Sequence, residues 1–260
     1  ARHVRPDDRA TRWGWLVMDL DLAYQSDAVS VYHGRAEDLL ATMAKESVHL
    51  IATDPPYGVE WRSNLRVERF NLIAGDGAHA DDRAAVRAVL EQCVRVVGQN
   101  RHLYVFGPTD VLDGLKVSEV VPMVWDKGVM GAGDLTAAWG PAHEQINFMV
   151  SKFRHAGQSG KPGVPTRLRK GTVLSYMRQT GRKVRHPSEK PVPLMRELIE
   201  SSTRQGETVA DVYAGTMSTA VAAILTGRKA IVCELNREYV DLGIERIKRA
   251  ESLADEMRAA

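Results

Sequence analysis

Residues 208 to 236, TVADVYAGTMSTAVAAILTGRKAIVCELN, constrain the fold more tightly than any other stretch. An apolar run ends at Asp211, a turn carries Gly215, a helix starts near Thr216, and a second apolar run ends at Glu234. Two strands joined by a single helix are parallel neighbours linked by a right-handed crossover. Their carboxyl ends then lie at one edge of the sheet, where open α/β folds place their ligands. The same alternation recurs upstream. VSVYH (29–33), SVHLIATD (47–54) and RHLYVFG (101–107) read as strands, with helical stretches at 36–45 and 79–97 between them. In the second helix Val86, Val89, Leu90, Cys93 and Val97 share a face. VVPMVW (120–125) and INFMVS (146–151) are further strand candidates, KPVPLMRELIESSTRQG (190–206) turns helical after its prolines, and a long helix follows Asn236. The expected architecture is α/β, a Rossmann-like doubly wound and mostly parallel sheet.

The Asp211–Glu234 unit also restricts the ligand. An acidic residue at the tip of the second strand can accept hydrogen bonds from both hydroxyls of a ribose. A nicotinamide dinucleotide needs G-x-G-x-x-G, so that bare backbone can approach a pyrophosphate. YAGTMSTA (213–220) offers one glycine, with Met217 and Ala220 where others would stand. A nucleoside cofactor without phosphates fits better, and S-adenosylmethionine is the common one.

A second constellation, IATDPPYGVEW (51–61), ends a strand in Asp54, two prolines and Tyr57. Consecutive prolines remove two donors and fix two φ angles, so neither helix nor ladder continues, and whatever precedes them is held rigidly. A third, RHPSEKPVPLM (185–195), makes a kinked entry into the helix before the cofactor strand.

Bulk properties exclude little. Net charge is +2, but between residues 152 and 196 there are twelve Lys and Arg against one acid, Glu189. That local excess is the footprint expected for a polyanionic partner. Periodicity disappears between 154 and 185, in a Gly-, Pro- and Arg-rich stretch that reads as loop. The two cysteines, Cys93 and Cys233, sit in apolar patterns, so buried free thiols and a reducing, cytoplasmic compartment are expected. No apolar run is long enough for a membrane span, no signal-peptide pattern is read, and no histidine spacing suggests a metal site.

Together, D-P-P-Y, then H-P-x-E-K-P, then D-x-Y-x-G, then an acidic strand tip resemble the S-adenosylmethionine-dependent amino-methyltransferases of DNA. The order is similar to their β class, in which the catalytic half precedes the cofactor half. The resemblance runs from about Ser30 to about Ala250, and WDKG (125–128) and HEQINFMV (143–150) share in it. It implies an unassigned N-terminal extension (1–28), a catalytic half (29–150), a basic target-recognition region (151–185) and a cofactor half (186–260). Two positions depart from the family pattern. Met217 replaces the second glycine of the cofactor turn, where its bulk is expected either to crowd the cofactor's methionine tail or to shift the loop. Arg35 replaces an Asp near the adenine, leaving Glu37 or Asp38 as substitutes.

The resemblance implies a catalytic group of Asp54, Pro55, Pro56 and Tyr57. It places the cofactor on His186, Ser188, Lys190, Asp211, Tyr213, Gly215, Thr216, Glu234 and Asn236. The double-stranded DNA it implies would meet Arg62, Arg167, Arg169, Lys170, Arg182 and Arg185. The expected reaction moves a methyl group to N6 of a flipped adenine. Asp as the motif's first residue favours adenine, and cytosine N4 is the alternative. A DNA-binding relative with a degenerate cofactor site is the third reading, motivated by Met217 and Arg35. A homodimer is a further implication; a restriction endonuclease partner is not legible.

Overall fold

The computed structural model describes residues 20–56, 80–118, 120–129, 138–151, 170–178 and 189–259. The strands are β1 (Asp21–Gln25), β2 (Val29–His33), β3 (Val48–Thr53), β4 (Val97–Phe106), β5 (Val121–Asp126), β6 (His143–Val150), β7 (Val173–Ser175), β8 (Thr208–Asp211) and β9 (Lys229–Glu234). The helices are α1 (Ala36–Thr42), α2 (Ala80–Val96), α3 (Val192–Ser202), α4 (Ser218–Leu225) and α5 (Arg237–Ala259). The strands form one sheet in the order β1-β2-β9-β8-β3-β4-β6-β5-β7. From β2 through β9, β8 and β3 to β4 every pairing is parallel. β1, β6 and β5 pair antiparallel to their neighbours on the inner side, and β7 runs parallel to β5.

Alternation along each strand explains the two layers. Val31 of β2, Leu50 and Ala52 of β3, Tyr104 and Phe106 of β4, Val209 of β8 and Val232 of β9 face α3, α4 and α5. Ile51, Leu103, Val105, Ala210 and Cys233 face α1 and α2. Val48 packs with the second set although it shares parity with Leu50, because the β3–β4 register shifts between those two residues. Helix α4 is buried along nearly its whole length, so its alanine-rich sequence lies close against the sheet. Both cysteines are buried free thiols. No described helix is long and apolar enough to cross a membrane.

Two strands depart from the sequence reading. β1 lies inside the stretch assigned to an N-terminal extension, and β7 inside the basic stretch read as loop. β1 is an edge strand with an exposed, charged start, and β7 has only three residues. Neither carries an apolar alternation long enough to register.

Candidate active site

Parallel pairing brings the ends of β2, β9, β8, β3 and β4 to one edge of the sheet. Asp54 follows β3 directly, Asp211 ends the adjacent β8, and Glu234 ends β9 beyond it. The two acidic constellations, 157 residues apart in sequence, therefore share one rim (211 minus 54). A side-chain bond closes the seam: Thr53 Oγ1 donates to Asp211 Oδ1 at 2.8 Å.

Asp211 is 5 % exposed, and both of its oxygens are used internally. Oδ1 also accepts the backbone N–H of Tyr213 at 3.2 Å, and Oδ2 accepts the hydroxyl of Thr219 at 2.6 Å. Burial pushes its pKa up to about 6 against the pull of these donors. Its place is as a hub that fixes the turn, the start of α4 and the end of β3.

The turn itself reaches α4 through Gly215 (φ +50°) and Met217 (φ +67°). A left-handed residue here is ordinary for glycine and strained for methionine. Here the structure corrects the expectation that Met217 crowds a cofactor. Its side chain is fully buried and turns away, against α5. A Cβ added at Gly243 would lie 2.1 Å from Met217 Cγ, so the missing side chain on α5 makes the space that Met217 fills.

Glu234 is oriented by backbone donors. Gly215 N–H donates to Oε2 and Asn236 N–H to Oε1, each at 2.8 Å. Burial raises its pKa all the same. Asn236, expected among cofactor ligands, accepts the Glu238 N–H at 2.9 Å and so caps α5. At the other substituted position, Arg35 leans on Glu37 at 3.4 Å. Asp38 Oδ2 is buried with no hydrogen-bond partner.

Lys190 falls elsewhere than expected. The sequence groups it with the cofactor residues, yet its ammonium lies 2.6 Å from Asp54 Oδ2 and 2.9 Å from Glu144 Oε2. Phe106 at the end of β4 covers it, with ring centroid 4.8 Å from Nζ, and Trp125 of β5 lies at 5.9 Å. Lys127 continues the series with Glu144 Oε1 at 2.7 Å. Burial pushes the Asp54 pKa up to about 6, opposed by Lys190 and reinforced by Glu144. The Lys190 pKa is raised by its two carboxylates despite burial, and that of Glu144 is lowered by the two lysines.

Neighbouring Glu189 serves the cofactor turn instead. It accepts the Thr216 hydroxyl at 3.3 Å and pairs with Arg246 at 3.1 Å. Arg246 also donates to the Thr216 carbonyl at 2.5 Å and to Ser218 Oγ at 3.2 Å. The segment before α3 thus binds both halves of the rim, Lys190 on one side and Glu189 on the other. Sequence reasoning missed Thr53, Glu144, Lys127, Thr219 and Arg246. Arg246 carried a usable signal, since it falls on the face of α5 that buries Gly243 and Ala250. Glu144 and Lys127 lie in HEQINFMV and WDKG, segments that share in the resemblance without any residue in them being given a role.

Pro55 is buried and Pro56 half-buried. Tyr57, Arg62, Arg167, Arg169, Arg182, Arg185, His186 and Ser188 lie outside the described residues. Lys170, expected at phosphate, forms an ion pair with Glu197. No group of three metal-ligating side chains occurs among the described residues.

The family model for DNA methylase matches residues 124–245. The DNA adenine methyltransferase YhdJ of Escherichia coli K12 is 26% identical over 90% of this chain and 87% of its own. A putative DNA modification methylase of Thermus thermophilus, solved with S-adenosyl-L-methionine, superimposes with a TM-score of 0.60 at 21% identity, covering 85% of this chain and 95% of that one. The PvuII DNA methyltransferase, cytosine-N4-specific, gives 0.63 at 16% identity, over 89% and 93% of the two chains.

Proposed function

We propose that this chain acts as a DNA methyltransferase of the N6/N4 family, a reading supported by the family model over residues 124–245 and by the 26% identical relative, and that it methylates N6 of an adenine swung out of duplex DNA, with S-adenosylmethionine as donor. One observation carries the reading. The Asp54-Pro55-Pro56 turn and the hydrogen-bonded Gly215 and Glu234 lie at the ends of the consecutive strands β3, β8 and β9 on one rim, tied by the Thr53–Asp211 bond. Adenine is favoured over cytosine by Asp54 as the first residue of its motif and by the adenine-specific relative in E. coli.

The residues present suit that cofactor. Glu234 takes the backbone N–H groups of Gly215 and Asn236, and that of Leu235 also bears on it. A carboxylate has about four acceptor sites, so capacity for a ribose hydroxyl remains beside these donors. The unpartnered, buried Asp38 Oδ2 is the acceptor that an adenine amino group would satisfy, which selects it over the Arg35-paired Glu37. Gly215 presents bare backbone beside this pocket. Asp211 and Thr216 act behind the turn, holding its shape. When bound, the cofactor supplies a methyl group on a sulfonium centre.

An exocyclic amine is a poor nucleophile because its lone pair is delocalised into the ring. Asp54 accepts one of its N–H groups and the Pro55 carbonyl the other, drawing the nitrogen toward tetrahedral geometry. The two prolines hold those acceptors in fixed relation before the base arrives, which is what makes such contacts effective in the transition state. Extruding the base costs about a few kcal/mol. Stacking on Tyr57 would return about 1–3 kcal/mol of that. After attack the nitrogen is strongly acidic, and Asp54 is the acceptor already bonded to its proton. The Lys- and Arg-rich segment from 152 to 185 would meet the phosphates, giving salt-dependent affinity.

Incubation with mixed-sequence duplex and labelled cofactor, followed by nucleoside mass spectrometry, tests the reading. N6-methyladenine is expected. N4-methylcytosine would move the chain to the other branch, and no product with DNA affinity retained would make it a binding relative.

A further inference from the structure

Lys190 is 7 % exposed, an unusual place for an ammonium. Its neighbours are an alternating series: Asp54 on β3's end, Lys190 before α3, Glu144 on β6 and Lys127 after β5, two of each sign. Pro191 follows at φ −60° and opens α3, so the backbone at residue 190 is restrained and the side chain enters from a fixed direction. Glu144 takes the same ammonium at 2.9 Å and is itself held by Lys127. The ammonium therefore has little freedom to follow a ligand elsewhere along the rim.

We propose that Lys190 is the positioning residue of the catalytic carboxylate: anchored on Glu144, it holds Asp54 in one orientation and in the ionised, acceptor-only form that gripping an amine requires. The inference rests on the reading that Asp54 grips that amine. A carboxylic acid donates through one oxygen, and a donor facing the substrate's N–H would repel it. Burial alone drives a carboxylate toward that neutral form. Among the described residues, the charged groups acting on Asp54 are Lys190 ahead of α3, Glu144 on β6 and Asp211 on β8. Glu144 and Asp211 oppose ionisation, and Lys190 alone of the three supports it. Glu144 serves indirectly, by aiming the ammonium. The sequence motif thus serves both halves of the rim: its Glu braces the cofactor turn and its Lys braces the base-gripping turn.

The test is single-turnover methylation at saturating cofactor by the full chain and by Lys190→Met and Lys190→Arg, across the pH range. Cofactor affinity is measured by calorimetry, and the carboxyl carbon of Asp54 is titrated by NMR. Removing an opposite charge at this distance is expected to move the acid limb of Lys190→Met upward by about 1–3 pH units, with activity recovering in alkali. Lys190→Arg should fall between it and the wild type, because it keeps the charge but not the geometry. Cofactor affinity should stay within about threefold, less than the tenfold that 1.4 kcal/mol represents. A loss of rate equal at every pH would overturn the inference. So would an unshifted limb with cofactor affinity reduced tenfold or more, which would return Lys190 to the cofactor. If Lys190→Met does not fold, Lys190→Gln, which keeps a polar side chain without the charge, should show the same upward shift, and no shift there counts against the inference. Should the wild type methylate no DNA at all, the functional reading fails by itself. The Asp54 titration still decides whether Lys190 holds it ionised: an identical midpoint in wild type and variant overturns that.

Discussion

Thr53 and Asp211 share a hydrogen bond of 2.8 Å across the seam between β3 and β8. It joins the last residue of one strand to the last residue of the other, immediately before the catalytic turn on one side and the cofactor turn on the other. The spacing between the two turns is therefore set by a short, buried, charge-assisted contact as well as by the backbone ladder.

Thr53→Val keeps the shape and removes the donor. Asp211 would remain buried with one partner fewer, at a cost of about 1–3 kcal/mol in chemical denaturation. The methylation rate should fall as well, with Thr53→Ser closer to wild type on both measures.

Asp54→Ala removes a contact made mainly in the transition state, so methyl transfer should be abolished while cofactor and DNA binding stay largely intact. The pH profile of the wild type carries the same information. Burial raises the Asp54 pKa from its ordinary 3.8 to about 6. The ionised form is the active one, so activity should hold above about pH 6 and fall about tenfold per unit below it. An acid limb near the ordinary carboxylate value would contradict the burial of Asp54.

Glu234→Ala should act on affinity. The variant loses both the proposed ribose contacts and the clamp on the Gly215 and Asn236 amides. Calorimetry should show cofactor binding weaker by about tenfold or more, since a hydrogen bond to a charged group is worth about 1.5–3 kcal/mol. The rate at saturating cofactor should change less than the affinity.

Gly243→Ala tests the packing of the cofactor turn. Alanine at that helical position would normally add about 1 kcal/mol of stability. Here its Cβ would meet Met217 Cγ at 2.1 Å. Overpacking should cost about 1–3 kcal/mol instead. Shortening Met217 to Ala in the same chain should recover part of that loss, a coupling that a double-mutant cycle reads directly.

How much of this was legible depends on how local each signal is. The strands VSVYH and RKAIVCE, the buried face of α2 and the long α5 were readable because period and length lie within one segment. β1 and β7 were not, because their pairing partners rather than their own residues make them strands. The acidic ends of β3, β8 and β9 were found by type and order. The companions of Asp54 were not: Lys190 was grouped with the cofactor, and Glu144 and Lys127 reach it only through the antiparallel return of β5 and β6. Met217 was misjudged for a related reason. Its position in the turn was legible, but the direction of its side chain depends on a vacancy in a helix 26 residues downstream (243 minus 217).

That vacancy alters how the turn's signature should be sought in other chains. One wall of the junction carries the bulk that the other lacks, Met217 filling the space that Gly243 leaves open. A chain that restores glycine in the turn is expected to carry a side chain opposite, and one with a bulky turn residue to bare its helix. The two sites should change together over descent, so a search that scores the turn alone will overlook chains that solved the same packing from the other side.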